Sequence, residues 1–243
     1  MKKMMLATAL LALTAGASLA QDVVRIGTEG AYEPYNYIDQ ATGELTGFEI
    51  ELGNELCKRA TLNCEFVQNA WDSIIPNLQS GNYDMIMAGM SITDERDEVI
   101  DFSQNYIPPA SSAYLALTAD VAIGEGAVIA AQTGTIQAGY IAESGATLLE
   151  FATPDETVAA VKNGEADAVF ADKDYLAPIA GDSGGELVLL ADEVQLGGGV
   201  GIGLRETDTE LKDKMNAAIQ SMKDDGTLNT MITKWFGPEA ATF

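Results

Sequence analysis

DMIMAGMSITDER, residues 84–96, contains the pattern that decides the fold of this chain. Residues 84–88 form a short apolar run typical of a buried strand, and Thr93 is a residue type that often caps a helix, here predicted to continue through Val99. A strand that leads through a short loop into a helix is the repeating unit of α/β folds, in which helices cover both faces of a mostly parallel sheet.

The same alternation continues on both sides of this stretch and forms two blocks. The other predicted strands are residues 23–27, 47–50, 64–68, 128–131, 167–171, 187–190 and 200–204. The other predicted helices are residues 52–59, 72–78, 136–142, 153–162, 209–225 and a C-terminal segment around Trp235. Thr153 and Glu156 have the spacing of a capping box at the start of one of these helices. Two α/β blocks and a helical end predict two lobes with a cleft between them.

Polar and aromatic residues follow several predicted strands, where open parallel sheets bind their ligands. A free α-amino acid needs a guanidinium and oriented N–H groups for its carboxylate, which Arg96 and the helix start at Thr135 could supply. Its ammonium needs acidic or hydroxyl oxygen, which Asp172 and Ser91 could supply. Each residue alone also fits a structural role, such as a surface ion pair, a helix cap or a core aromatic. The candidate residues are Glu29, Tyr32, Trp71, Gly89, Ser91, Arg96, Thr135, Ile136 and Asp172.

The composition excludes several function classes. The 243 residues carry a formal net charge of −24, which argues against nucleic acid binding because phosphate contacts need clustered Lys and Arg. The absence of histidine excludes Ser-His-Asp triads and HExxH zinc sites. The two cysteines, Cys57 and Cys64, are predicted to form a disulfide, which leaves no expected transition-metal site. Catalysis by carboxylates alone remains allowed.

The N-terminus has the layout of a secretory signal peptide. Lys2 and Lys3 precede an apolar run at residues 4–13, and small residues follow up to Ala20. The apolar run is too short to remain as a membrane span. We predict cleavage after Ala20, a mature chain that starts near Gln21, and a periplasmic location.

Seven motifs resemble the family 3 solute-binding proteins, which are the polar amino acid receptors of ABC importers. In family order they are RIGTEGAY at 25–32, GFEIEL at 47–52, WDSIIP at 71–76, SITDER at 91–96, DAVFAD at 167–172, GVGIGLR at 199–205 and DGT at 225–227. They cover nearly all of the chain after its first twenty residues. The likeness is greatest to the lysine/arginine/ornithine, histidine and opine receptors, which have a cysteine pair at the spacing of Cys57 and Cys64.

The resemblance implies the type II periplasmic binding protein fold, with two lobes joined by a two-strand hinge around the ligand cleft. We place the first lobe at residues 21–109 and 198–243 and the second at residues 110–197. The family pattern gives Arg96 the ligand carboxylate, with backbone N–H groups of Ser91 and Ile136. It gives Asp172 the ammonium, with the Ser91 hydroxyl and the Gly89 carbonyl. Tyr32 and Trp71 would stack on the ligand side chain, and Glu29 would meet its cationic end.

Some positions depart from the family pattern. Ala88 and Gly89 stand where some members have serines, and Ile136 stands where threonine is frequent. The link at residues 119–127 is shorter than usual. Without the serine hydroxyls at positions 88 and 89, the ammonium would depend on backbone oxygen, and at position 136 only the N–H group can help. None of these departures removes Arg96 or Asp172.

The resemblance predicts a monomeric, non-enzymatic receptor without a cofactor, which delivers a cationic amino acid of the arginine, lysine and ornithine class to a membrane permease. Glutamine or an opine remains an alternative ligand, and Glu29 could instead face solvent or pair with a lysine. The main alternative function is a cyclohexadienyl or arogenate dehydratase on the same fold, which would need further cationic pocket residues for its doubly anionic substrate. A third alternative is an isolated sensor lobe.

Overall fold

The computed structural model describes residues 23–243, so the predicted signal peptide lies outside the described residues. The strands are β1 Val23–Thr28, β2 Ala31–Tyr32, β3 Asn36–Ile38, β4 Leu45–Thr46, β5 Asn63–Gln68, β6 Met85–Ile86, β7 Asp101–Phe102, β8 Ser111–Ala116, β9 Val128–Gln132, β10 Thr147–Phe151, β11 Ala168–Asp172, β12 Val188–Gln195 and β13 Gly203–Leu204. The helices are α1 Phe48–Arg59, α2 Ile74–Gln79, α3 Asp94–Asp97, α4 Ile136–Ser144, α5 Pro154–Lys162, α6 Lys173–Asp182, α7 Thr209–Asp224 and α8 Thr227–Phe236, and a 3₁₀-helix covers Trp71–Ser73. Within this part of the chain, no helix is both long and apolar enough to cross a membrane.

Two five-stranded sheets of the same design form the centres of two lobes. The first lobe contains the order β5-β1-β6-β13-β7 and the second contains β10-β9-β11-β8-β12. In each sheet the first three strands pair in parallel. The fourth strand pairs antiparallel with both of its neighbours. A small antiparallel sheet, β2-β3-β4, adds to the first lobe. This confirms the predicted α/β class and the two-lobe fold.

Two adjacent chain segments connect the lobes. The chain leaves the first sheet after β7, enters the second at β8, and returns between β12 and β13. The segments pair where the Tyr106 N–H donates to the Val200 carbonyl at 2.8 Å. Gly199 has φ 94°, and a Cβ there would lie 2.4 Å from the Ile107 carbonyl oxygen. The close approach of the two segments therefore requires glycine at position 199.

Helices with one apolar face cover the sheets. In the first lobe, Phe48, Leu52 and Leu56 recur at helical spacing and are fully buried on α1, which packs against α7 and α8. The capping box of α5 is present as predicted, between Thr153 and Glu156. The predicted disulfide between Cys57 and Cys64 is also present, and it connects α1 to β5.

The strand predicted at residues 47–50 is wrong, because α1 begins at Phe48. The Phe48 and Glu49 N–H groups donate to the carbonyls of Pro34 and Tyr35, which supplies partners for the helix start. The strand predicted at residues 200–204 is shorter than expected, and Val200 forms only isolated bridges. Both errors lie where loop contacts, rather than local periodicity, decide the backbone.

Candidate functional site

A small cavity lies between the two lobes and is partly open to solvent. All nine candidate residues named from the sequence line this one cavity. Three further residues complete the lining, and the full set is Glu29, Tyr32, Trp71, Ala88, Gly89, Ser91, Arg96, Gln132, Thr135, Ile136, Gln137 and Asp172.

The sheets bring these residues together because the relevant strands end at the cleft. In the first lobe, the lining residues follow β1, β5 and β6, and Arg96 lies on the short helix α3. Thr93 caps α3 as predicted, since its hydroxyl accepts from the Arg96 N–H at 3.2 Å. In the second lobe, Thr135 and Ile136 start α4 directly after β9, and Asp172 ends β11.

Arg96 is a buried cation at the cavity wall. Its side chain donates to the Ser91 carbonyl at 2.8 Å and to the Gly134 carbonyl at 3.4 Å, and its guanidinium carbon lies 5.3 Å from the centre of the Trp71 ring. Among residues 23–243 it forms no ion pair, so a surface ion pair does not explain it. Burial lowers the pKa of Arg96 to about 10. A buried guanidinium that forms no ion pair within the described residues favours the binding of an anionic group beside it.

The N-terminus of α4 faces the same space as Arg96. Thr135 caps this helix, since its hydroxyl oxygen accepts from the Ala138 N–H at 3.1 Å. Thr135, Ile136 and Gln137 all line the cavity. Because the first N–H groups of a helix carry partial positive charge, this end of the cavity favours a carboxylate.

Asp172 supplies an anion to the cavity from the second lobe. Its carboxylate accepts from the Tyr32 hydroxyl at 2.7 Å and from the Gln137 amide at 2.9 Å. It occupies the N-cap position of α6 but caps none of the helix N–H groups with its side chain. Burial, opposed by the Tyr32 hydrogen bond and reinforced by the charge of Asp174, raises the pKa of Asp172 to about 6. Such a carboxylate gains a strong partner when an ammonium binds beside it.

Glu29 is a second carboxylate of the cavity, and it is a buried side chain from the first lobe. It is 6 % exposed and accepts from the Gln132 amide across the cleft at 2.6 Å. Burial raises the pKa of Glu29 to about 7, although the Gln132 hydrogen bond lowers it. Glu29 neither faces solvent nor forms an ion pair within the described part of the chain. A cationic group of a ligand would therefore be a favourable partner for the Glu29 carboxylate.

The two aromatic side chains differ in their surroundings. Tyr32 stacks on Tyr175 of the second lobe, with ring centres 4.5 Å apart and planes at 14°. One face of Tyr32 is thus covered by protein, which the sequence did not indicate. Trp71 is buried at the cavity wall beside Arg96.

Gln132 and Gln137 were not selected from the sequence, although they lie in the run that follows a predicted strand. Gln132 contacts Glu29, and Gln137 contacts Asp172. Glutamine both donates and accepts, so either side chain can hold a carboxylate in place while it lines the cavity. Their position in the short run that also contains Thr135 and Ile136 was the available signal. Within residues 23–243, no group of three acidic or cysteine side chains is arranged to hold a metal ion.

The sequence is similar over most of its length to known proteins. A family model for bacterial extracellular solute-binding proteins, family 3, matches residues 24–238. The putative ABC transporter arginine-binding protein 2 of Escherichia coli K12 is 32% identical, over 97% of this chain and 99% of its own. The lysine/arginine/ornithine-binding periplasmic protein of the same strain is 33% identical, over 97% of each chain.

A solved structure with higher identity shares the fold. It is a periplasmic His/Glu/Gln/Arg/opine family-binding protein from Silicibacter pomeroyi in complex with lysine. The sequences are 70% identical, the TM-score is 0.88, and the match covers 90% of this chain and 100% of the other.

Proposed function

Because this chain belongs to the bacterial extracellular solute-binding proteins of family 3, we propose that it is the periplasmic receptor that captures a cationic L-amino acid for an ABC importer. The observation that carries the proposal is that one cavity between the lobes is lined by two opposite charges: Arg96, a buried cation that forms no ion pair within residues 23–243, and the half-buried carboxylate of Asp172. The family membership confirms the resemblance drawn from the sequence motifs.

The two charges suit the two ends of a zwitterion. Arg96 and the start of α4 would bind the α-carboxylate, with the N–H groups of Ser91 and Ile136. Asp172 would bind the α-ammonium, with the Ser91 hydroxyl and the Gly89 carbonyl. Since both protein charges are already desolvated, the ligand charges replace partners that water no longer supplies.

The ligand side chain would extend toward Glu29. A carboxylate that is 6 % exposed and lacks a cationic partner disfavours a neutral neighbour and favours an ammonium or guanidinium. The Trp71 ring and the uncovered part of Tyr32 offer aromatic faces for such a cation. The relatives described above bind arginine, lysine or ornithine by name, and the neighbour from Silicibacter pomeroyi holds lysine, which supports the same ligand class.

The proposal includes export, lobe closure and delivery. We place the lobe boundaries at residues 109/110 and 197/198, next to the two crossing segments, and infer that the lobes close on the ligand about them. A signal peptide ending at Ala20 would deliver a monomeric receptor to the periplasm, and the relatives named as periplasmic support this location. We infer a binding protein rather than a dehydratase, because the named relatives are binding proteins and Arg96 is the one arginine that lines the cavity of the described chain.

Calorimetric titration of residues 21–243 with lysine, arginine, ornithine, histidine, glutamine and glutamate tests the proposal. We expect the three cationic ligands to bind most tightly. Tightest binding of glutamate would contradict the cationic class, and absence of binding by every amino acid in the series would contradict the receptor function.

A further inference from the structure

Glu49 is a fully buried carboxylate that lies outside the lining of the cavity. It forms no ion pair with any residue between 23 and 243 and accepts three hydrogen bonds instead. Its Oε1 accepts from the Gly89 N–H at 2.8 Å and from the Tyr106 hydroxyl, and its Oε2 accepts from the Asn36 amide at 2.7 Å. Burial raises its pKa, while these three bonds lower it. Burial of an ionisable group costs free energy, which indicates a specific structural or functional role for Glu49.

The three donors connect Glu49 to three regions: the cavity lining, the loop that carries Glu29, and the first crossing segment. Gly89 lines the cavity after β6. Asn36 in turn accepts from the Gly30 N–H at 2.7 Å, one residue beyond Glu29. Tyr106 lies in the first crossing segment, where its N–H donates to the Val200 carbonyl of the second segment. One carboxylate thus connects two ligand-facing loops to the segments about which the lobes would move.

The hydrogen-bond directions require an acceptor oxygen at each of the two side-chain atoms that end this residue. A backbone N–H can only donate, so Gly30 forces the Asn36 side chain to present its carbonyl to Gly30 and its NH₂ to Glu49. Gly89 likewise presents only a donor. A glutamine at position 49 has one acceptor atom and one NH₂ group, so it must face at least one donor with another donor. An amide therefore fits the shape of this network but not its polarity.

The start of α1 places the carboxylate within reach of all three donors. Gly47 has φ 125°, and a Cβ there would lie 2.4 Å from the Tyr35 carbonyl oxygen. Glycine lets the first turn of α1 press against the loop after β2, where the Glu49 N–H donates to the Tyr35 carbonyl at 2.8 Å. The peptide bond before Gly89 is trans, so the bond from its N–H to Glu49 also fixes the Ala88 carbonyl in the opposite direction.

We propose that Glu49 is a positioning residue for ligand capture, which holds the Gly30 and Gly89 loops in their binding geometry against the crossing segment at Tyr106. The inference rests on the proposed receptor function and adds a residue that never touches the ligand. Because Glu49 lies outside the lining of the cavity and acts through backbone positions, its loss weakens every amino acid that the protein binds by the same factor. Loss of Glu29, in contrast, changes the ranking of the ligands.

The test compares Glu49→Gln and Tyr106→Phe with a matched control, Tyr83→Phe. Tyr83 and Tyr106 are both fully buried tyrosines, and the Tyr83 hydroxyl donates to the Ile74 carbonyl, away from Glu49. Affinity is measured by calorimetry with lysine and arginine, and stability by thermal melting of the ligand-free proteins. We expect Glu49→Gln to weaken both ligands about tenfold or more and Tyr106→Phe to weaken both a few-fold, because hydrogen bonds to a buried charge are lost. Tyr83→Phe should lower the melting temperature and leave affinity within about twofold.

Two outcomes would overturn the inference. One is a folded Glu49→Gln protein, or a Tyr106→Phe protein if the former does not fold, that binds within about twofold of the unmodified protein. The other is an equal affinity loss in Tyr83→Phe and Tyr106→Phe, which would make the effect one of stability alone. A failure of the unmodified protein to bind any amino acid would instead contradict the proposed function, so the two failures are distinct.

Discussion

Replacement of Arg96 by methionine should change stability and affinity in opposite directions. Burial lowers the pKa of the guanidinium from 12.5 to about 10, which corresponds to about 3 kcal/mol by which folding disfavours this cation. The substitution removes that penalty and also removes the hydrogen bonds to the Ser91 and Gly134 carbonyls, at about 1 kcal/mol each. The free energy of unfolding of the empty protein should therefore stay unchanged or rise by about 1 kcal/mol, which is a few degrees in melting temperature at this chain length.

Affinity should fall steeply in the same variant. The ligand carboxylate would enter the cavity without its cation, and breaking one side of a buried charge pair typically costs about 3–5 kcal/mol. This corresponds to a loss of about 10²–10⁴ in affinity. Thermal melting of the empty protein and calorimetry with lysine measure the two effects on the same sample.

Arg205→Met is the matched control for this pair of measurements. Arg205 also donates to two backbone carbonyls, of Leu78 and Tyr83, but it pairs with Asp84 and Asp208 away from the cavity. We expect this variant to lose stability and to keep its affinity. If Arg96→Met binds lysine within about tenfold of the unmodified protein, or if it is the less stable of the two variants, the assignment of Arg96 to the ligand carboxylate is wrong.

Three further predictions follow from the charges and the fold. Glu29→Gln should weaken lysine and arginine by more than it changes glutamine, measured by competition at fixed pH and salt; equal effects on all three would contradict its contact with a cation. Because the pKa values of Glu29 and Asp172 are raised to about 7 and about 6, the affinity for lysine should fall as the pH drops from about 8 to about 5. Protonation of the same groups should make the ligand-free protein more stable as the pH falls over this range, and a flat affinity profile would contradict both roles. Small-angle scattering should show a smaller radius of gyration with saturating lysine, and an unchanged radius with binding confirmed would contradict lobe closure.

The sequence predicted those parts of the fold that depend on local pattern. Thr93 and the Thr153–Glu156 pair predicted the starts of α3 and α5, and the apolar runs predicted most strands of the two sheets. The order of the site residues after the strands predicted which of them line one cavity, because parallel strands end at the same edge of a sheet.

Long-range contacts account for what the sequence did not predict. The helix α6 was missed because Pro178 and Gly181 interrupt its pattern, and α1 was begun too late because its first turn takes partners from the distant loop at Pro34 and Tyr35. The stacking of Tyr32 on Tyr175 joins residues of opposite lobes. Such contacts depend on how the two lobes meet, which the local periodicity of a sequence does not predict.

The central claim is that Arg96 and Asp172 bind the two ends of an α-amino acid between the lobes. A crystal structure of residues 21–243 with lysine tests it most directly. We predict the α-carboxylate within ion-pair distance of the Arg96 guanidinium, the α-ammonium at Asp172, and the side-chain ammonium directed toward Glu29. A lysine bound outside this cavity, or bound with its α-carboxylate away from Arg96, would contradict the account.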